Sequence, residues 1–359
     1  MRPHRPDASK EPIKMTLALI SIGLADEKDL TVRAIEEAKS CDKLYAETYT
    51  TILNTDIGRL GEAVGRPVTP LSRGDLEESS DALLDEAGAK KVGVLIGGDC
   101  LSATTHIGLL LEARKRGIKT RVVHGSSILT AIAETGLSLY KFGRAVTLPL
   151  PDKGPVDTVI SAIEKNGESG LHTLVLLDFE AETNKHLTVA QGLSLIVEEG
   201  RPETFGPESL AVGIARVGWD DGVIRAGRAA DLMRQEFGAP PHALVIPGKL
   251  HFLEAEALTT LHGCPKEAID GHRRRGELER LNEKYMAGCR MAFDELVAAP
   301  LPRKISSDEV KALIEHAERY LKDAEYYAKE RKATALVSLG YVEGILDALR
   351  LLGLVKFKW

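Results

Sequence analysis

The sequence predicts an α/β protein in which two strand-and-helix domains precede an all-helical module. Three observations carry that prediction. From Thr16 onward, short apolar runs alternate with segments whose apolar residues recur at helical spacing, the pattern of a parallel sheet wound with helices. After Phe142-Gly143 the alternation resumes with longer strands. Past Pro265 the strand signal stops and charged, helix-period sequence takes over.

Residues 1–14 are polar and proline-bearing without an apolar signal core, and are expected to form a disordered extension before Met15 opens the first strand. Thr16 to Ile22 is that strand, ending at Gly23; Asp26 to Ala38 follows as a helix with Leu30, Ala34 and Ala38 on one face. Lys43 to Glu47, Val92 to Ile96 and Lys119 to His124 read as further strands, the last running into Gly125-Ser126-Ser127. A first domain with a parallel, doubly wound sheet is therefore expected over 15–125.

The second domain, over 126–265, has strand runs Ala145 to Leu150, His172 to Asp178, Ser209 to Val217 and His242 to Pro247. Amphipathic helices are expected at Val156 to Glu164 and Thr188 to Glu199. Val223 to Arg225, just before Ala226-Gly227, adds a short antiparallel strand and makes this sheet mixed. Residues 266–359 form the helical module. Their charged first part carries His272-Arg273-Arg274-Arg275 and is broken at Pro300-Leu301-Pro302. Ser306-Ser307-Asp308-Glu309 supplies a serine N-cap for helices Asp308 to Lys332 and Ala333 to Leu352.

With 359 residues the chain is long enough for two or three domains. A net charge of -6 and a sequence pI of about 6.0 give no nucleic-acid footprint, and no apolar run is long enough for a membrane helix. Cys41, Cys100, Cys264 and Cys289 are widely spaced with no C-x-x-C pair, which argues against a disulfide framework or structural zinc and for reduced thiols in the cytoplasm. No metal-ligand spacing, G-x-S-x-G elbow or Walker loop is present.

The most informative stretch is Ile96-Gly97-Gly98-Asp99-Cys100-Leu101-Ser102-Ala103-Thr104-Thr105-His106, a strand, glycine turn and helix start. In an open α/β sheet that is the carboxyl edge, where ligands bind. Glycines admit a ligand close to the backbone, Asp99 offers an acceptor, and Ser102 to Thr105 supply hydroxyls and amides. Asp99 is a helix or turn cap on the plainer reading. Gly125-Ser126-Ser127-Ile128 sits at another strand end, where Ser127 serves either as an N-cap or as a ligand contact. Leu24, Leu177 and Val217 lie at or near strand ends as core or cavity wall, and His242 enters an apolar strand after Pro240-Pro241. His106 and His251 are further histidines near these stretches, open to a substrate role. Arg273-Arg274-Arg275 is either a solvated helix face or a docking patch.

Together with Pro240 to His251, these stretches resemble the diphthine synthases, S-adenosylmethionine-dependent methyltransferases of the tetrapyrrole methylase-like (class III) fold. Further matching segments are Asp29-Leu30-Thr31, Gly170 to Leu174 with Leu177-Asp178, Ile224-Arg225-Ala226-Gly227 and His251 to Glu256. The resemblance spans roughly Thr16 to Ile269. It implies that Leu24, Asp99, Ser102, Ser127, Ile128, Leu177, Val217 and His242 contact S-adenosylmethionine, the apolar members sandwiching its adenine. The family's usual proline after the aspartate is Cys100 here.

The implied reaction methylates the amine of the diphthamide precursor on a histidine of translation elongation factor 2, giving diphthine. Each transfer is an in-line displacement served by positioning and desolvation, and the resemblance names no catalytic base. It further implies a homodimer, while the thiol, hydropathy and charge readings above lead to the expectation of a cytoplasmic location with no membrane or nucleic acid as partner. The module after 266 resembles a small archaeal helical family of uncharacterised function, which leans the source toward archaea. Two other readings stand beside this one. A methylase of the same fold would act on a tetrapyrrole or RNA, and a binding scaffold would keep only the fold.

Overall fold

The computed structural model describes residues 15–47, 49–180, 183, 185–200, 204–273, 305–327 and 332–356. The expectations for 1–14, Arg274, Arg275, Cys289 and Pro300-Leu301-Pro302 fall outside them. The chain divides into a unit through Asp270 and a unit from Gly271.

In the first unit, β1 (Thr16–Ser21) sends Leu17 and Leu19 into one buried cluster and Ala18 and Ile20 into another. A period-two strand covered on both faces must do this, so β1 is interior. It pairs in parallel with β4 (Lys91–Ile96) on one side and β5 (Lys119–Val123) on the other. Beyond β4 lie β2 (Lys43–Glu47) and, at the edge, β3 (Thr69–Leu71), giving the all-parallel order β3-β2-β4-β1-β5. Pro70 in β3 has no amide to donate to a ladder, which suits an edge strand.

The helix expected over Asp26 to Ala38 is two pieces. Glu27–Asp29 makes one 3-10 turn, and α1 (Val32–Lys39) starts afresh, with the Thr31 hydroxyl accepting from the Ala34 amide at 3.1 Å. The division follows from Asp29, whose carboxylate accepts from the amides of Leu24 and Ala25 at 2.9 and 2.7 Å. That holds the chain against the end of β1 before a helix can form. Between β2 and β4 the structure adds α2 (Ile57–Val64), β3 and α3 (Asp81–Ala87), which the sequence reading left without elements. α4 (Ile107–Lys115) follows β4, and α5 (Ile128–Ala131) follows β5.

A second sheet has the order β11-β10-β12-β7-β6, built from β6 (Val146–Leu148), β7 (Thr173–Leu177), β10 (Leu210–Ala215), β11 (Val223–Arg228) and β12 (His242–Ile246). β6 and β7 are parallel and the remaining pairs antiparallel, so the sheet is mixed. Val175 and Leu244 enter one apolar cluster, Leu174 and Val245 the opposite one. A short ribbon, β8 (Phe179–Glu180) with β9 (Lys185–His186), leaves the end of β7. α6 (Asp157–Glu168), α7 (Val189–Glu199), α8 (Ala229–Leu232) and α9 (Phe252–His262) complete the unit. α7 opens on a capping box, Thr188 with Gln191, which fixes its start against β12.

Residues 266–273 are helical, and Arg273 is exposed there. The second unit contains α11 (Ser307–Tyr327) and α12 (Lys332–Leu351), α10 being the helix at 266–273. Ser306 begins α11 as expected: its hydroxyl accepts from the Glu309 amide, and Glu309 accepts from the Ser306 amide. Ala317, Ala324, Ala335, Val342 and Leu349 are buried, and the Tyr320 and Tyr341 rings meet at a tilt of 44° with centroids 4.6 Å apart. No described helix is long and apolar enough to cross a membrane.

Candidate active site

A cavity lies where the carboxyl ends of β1, β4 and β5 face the second sheet. Leu24, Asp99, Ser102, Ser127, Ile128, Leu177, Val217 and His242 all line it. Thr104, within the hydroxyl-bearing stretch Ser102 to Thr105, lines it as well, and so do Thr50, Thr51, Ile52, Phe179 and Arg216, which sequence reasoning did not single out as ligand contacts.

Two glycines shape its floor. Gly23 and Gly98 exchange backbone hydrogen bonds at 3.2 and 2.7 Å across the ends of β1 and β4. Both have positive φ, +113° and +68°, which only glycine adopts without strain. A Cβ at Gly23 would sit 2.4 Å from the Cβ of Asp29, whereas one at Gly98 would meet nothing within 4 Å. The backbone is thus bare at Gly98, where the cavity wall needs it to be.

β1 separates β4 from β5, so the loop after β4 must cross it to reach the loop after β5. Asp99 makes that crossing. Its Oδ1 accepts from the Leu101 amide at 3.0 Å and the Ser102 hydroxyl at 3.1 Å. Its Oδ2 faces His124 Nδ1 at 2.8 Å and accepts from the Gly125 amide at 3.2 Å. Burial pushes the carboxyl up, but these donors outweigh it and hold Asp99 below its ordinary pKa. The amide of Cys100, which a proline would lack, donates to Ser21 Oγ at 2.9 Å and ties the crossing loop to β1. Ser127 serves as the plainer reading expects, its hydroxyl capping α5 at the Leu129 amide, while also lining the cavity.

From the second sheet come Leu177 and the turn Arg216-Val217 after β10. Arg216 has φ +49°, a strained value for a residue with a Cβ. Its guanidinium donates to Asp221 at 2.8 Å, to the Phe237 carbonyl at 3.0 Å and to the Ala239 carbonyl, so it fastens the cavity's rim. His242 Nδ1 accepts from the Val189 amide at 3.3 Å, leaving Nε2–H for the Ala239 carbonyl at 3.1 Å. Burial pushes its pKa down, and the Arg216 charge adds to that, so the ring is neutral at neutral pH. The Trp219 indole N–H donates to the Leu24 carbonyl at 2.9 Å, a direct bond between the loops of the two sheets.

His251 lies elsewhere: it caps α9, its Nδ1 accepting from the Leu253 amide at 3.4 Å. His106 is buried and does not line this cavity; its Nδ1 contacts the hydroxyl of Thr104, which does.

The cavity thus combines apolar walls, a bare backbone stretch and hydroxyls. Among the described residues, the lining carboxylate of Asp99, the guanidinium of Arg216 and the imidazole of His242 are all committed to the protein's own groups. Such a site binds and orients a small, partly apolar ligand, and among the described residues its lining holds no uncommitted strong acid or base.

Residues 16–233 match the family of Tetrapyrrole (Corrin/Porphyrin) Methylases, and residues 284–355 match a Protein of unknown function family (DUF357). The diphthine synthase of Methanosarcina mazei is 42% identical over 263 residues, covering 71% of this chain and 98% of that one. That of Methanothermobacter thermautotrophicus is 38% identical over 260 residues, again 71% of this chain and 98% of the relative. A crystal structure of diphthine synthase superposes with TM-score 0.66 at 35% identity, covering 72% of this chain and 99% of the other.

Proposed function

The chain belongs to the diphthine synthases within the tetrapyrrole methylase family, and from that premise we propose that its cavity holds S-adenosylmethionine. The protein is a methyltransferase of diphthamide biosynthesis that uses this donor. When bound, the donor supplies a methyl group activated by a positively charged sulfur. The observation that carries the site assignment is convergence. Eight residues from separate loops and strand ends, chosen from the sequence, line one cavity between the two sheets.

The walls fit the donor. Leu24, Ile128, Leu177 and Val217 offer apolar faces for the adenine, with backbone groups nearby for its edge. The open space over Gly98 admits the ligand against bare backbone. Asp99 contributes by holding the loops after β4 and β5 in one arrangement through Ser102 and the Gly125 amide, while Ser127 lines the cavity nearby. His242 contributes a neutral, fixed ring, since both nitrogens already have partners.

The substrate we propose is the amine of the diphthamide precursor on translation elongation factor 2, modified in the cytoplasm of an archaeal cell by a homodimer. A side chain on a protein must enter from the solvent side of the cavity. Positioning and exclusion of water are then what the lining residues supply to the displacement. Calorimetry with S-adenosylmethionine tests the site directly. Saturable binding that weakens in an Asp99→Ala variant is expected; absence of binding by the folded wild type would remove the donor from this cavity.

A further inference from the structure

We propose that His106, backed by Glu47, takes up through the Thr104 hydroxyl the proton that the substrate amine must lose before each methyl transfer. This rests on the function proposed above. It concerns a group that the donor-contact reading leaves unused.

Two cavity-lining threonines lead inward to one buried pair. Thr104 Oγ1 is in close contact with His106 Nδ1 and also accepts from the His106 amide at 3.0 Å. Thr50 Oγ1 donates to Glu47 Oε2 at 2.7 Å. Glu47 Oε1 accepts from the amides of Tyr49 and Thr50 at 2.8 and 2.6 Å. His106 and Glu47 are 4% and 5% exposed. Between them, His106 Nε2 is 3.9 Å from Glu47 Oε2 and has no hydrogen-bond partner.

A plain structural role does not account for this histidine. It stands at the start of α4, yet its side chain makes no cap bond. Burying an imidazole nitrogen without a partner is costly. The arrangement is coherent if Nε2 carries the hydrogen, facing the carboxylate, and Nδ1 accepts from the Thr104 hydroxyl. Thr104, accepting from one amide and donating to Nδ1, keeps a lone pair for the cavity.

The amine arrives as an ammonium and has no lone pair until it gives up a proton. In the proposed step an amine N–H bond breaks and that proton passes to Thr104 Oγ1. The threonine's own hydrogen passes to His106 Nδ1. The amine nitrogen then forms its bond to the methyl carbon as the carbon–sulfur bond breaks and its electron pair stays on sulfur. The imidazolium left behind has Nε2–H facing Glu47, whose carboxylate stabilises it, and before the next round Nδ1 returns its proton through the Thr104 hydroxyl to water in the cavity, restoring the starting tautomer. His106 acts through Thr104, so it is a positioning and relay residue.

The test has two readouts. In the wild-type protein, 15N NMR of the His106 ring is expected to show hydrogen on Nε2 and none on Nδ1; the opposite tautomer overturns the proposal without any assay of activity. Single-turnover methylation of elongation factor 2 is then compared for wild type, His106→Gln and Thr104→Val. For His106→Gln the rate is expected to drop by about a hundredfold, the scale of a lost proton acceptor, with the donor Kd from calorimetry unchanged. Thr104→Val is expected to lose rate similarly. A His106→Gln rate close to wild type overturns the relay while leaving the proposed function intact. A wild type that binds the donor but transfers no methyl group overturns the substrate reading, and the relay with it.

Discussion

Asp99 and Gly98 do opposite work side by side, one through its side-chain contacts and the other by lacking a side chain. Replacing Asp99 with alanine removes the acceptor that joins the loops after β4 and β5. Donor affinity is expected to fall by about 1–3 kcal/mol, measurable by calorimetry on a variant shown to be folded. Gly98→Ala is expected to cost about 1 kcal/mol of stability for its positive φ. It should also weaken donor binding, since the new Cβ projects into open space; binding equal to wild type would contradict this. Asp99 was legible in the sequence because a glycine turn between a strand and a helix marks a sheet's carboxyl edge. Arg216 and Thr50 carried no comparable signal. Arg216 looks like any residue closing an apolar run, and its role appears only when Phe237 and Ala239 fold back onto it. Cys100 breaks the family pattern in sequence, but the hydrogen bond its backbone N–H donates to Ser21 Oγ shows how the loop is held without the proline.

Among the elements, α9 shows a buried charge fixing a helix start. Glu254 is 2% exposed and accepts from the amides of His251 and Ser138 at 2.7 and 3.1 Å, while pairing with Lys141. Its Oε1 also faces His172 Nε2 at 3.2 Å, and because Gly248 donates to His172 Nδ1 at 3.0 Å, the hydrogen is on Nε2. Burial pushes the Glu254 carboxyl up, but Lys141 and the two amides overcome it and bring its pKa from 4.5 to about 2. A pKa lowered on folding means that this contribution is complete above about 4.5 and is lost as the pH falls toward 2. Glu254→Gln is therefore expected to lower the melting temperature at pH 7, with the gap to wild type narrowing below pH 4.5. A gap independent of pH would contradict the assignment. Elements with continuous apolar runs, such as β1 and β12, were legible, as was the antiparallel β11. β3 was not, because three residues with a central proline carry no periodicity. The division of the helix before α1 escaped notice because Asp29 reads as an ordinary helical residue until its carboxylate is seen on the Leu24 and Ala25 amides.

At the scale of the whole chain, the diphthine synthases compared above are covered over 98% of their length by about 71% of this chain. The unit through Asp270 contains both sheets and every residue lining the cavity. Residues 1–270 are thus expected to bind S-adenosylmethionine as tightly as the full chain, by calorimetry on both. A clear loss would assign the helical module a part in the donor site. Two α/β domains and a helical end were legible from the change in strand signal. Sheet order was not, because no local pattern says that β1 lies between β4 and β5 or that one loop must cross it. The central claim is the reaction itself, and intact-mass spectrometry of elongation factor 2 carrying the unmethylated precursor tests it most directly. After incubation with this protein and S-adenosylmethionine, the mass is expected to rise in methyl-sized steps, the last step giving the number of groups transferred. An unchanged mass, from a protein shown to bind the donor, would contradict the account.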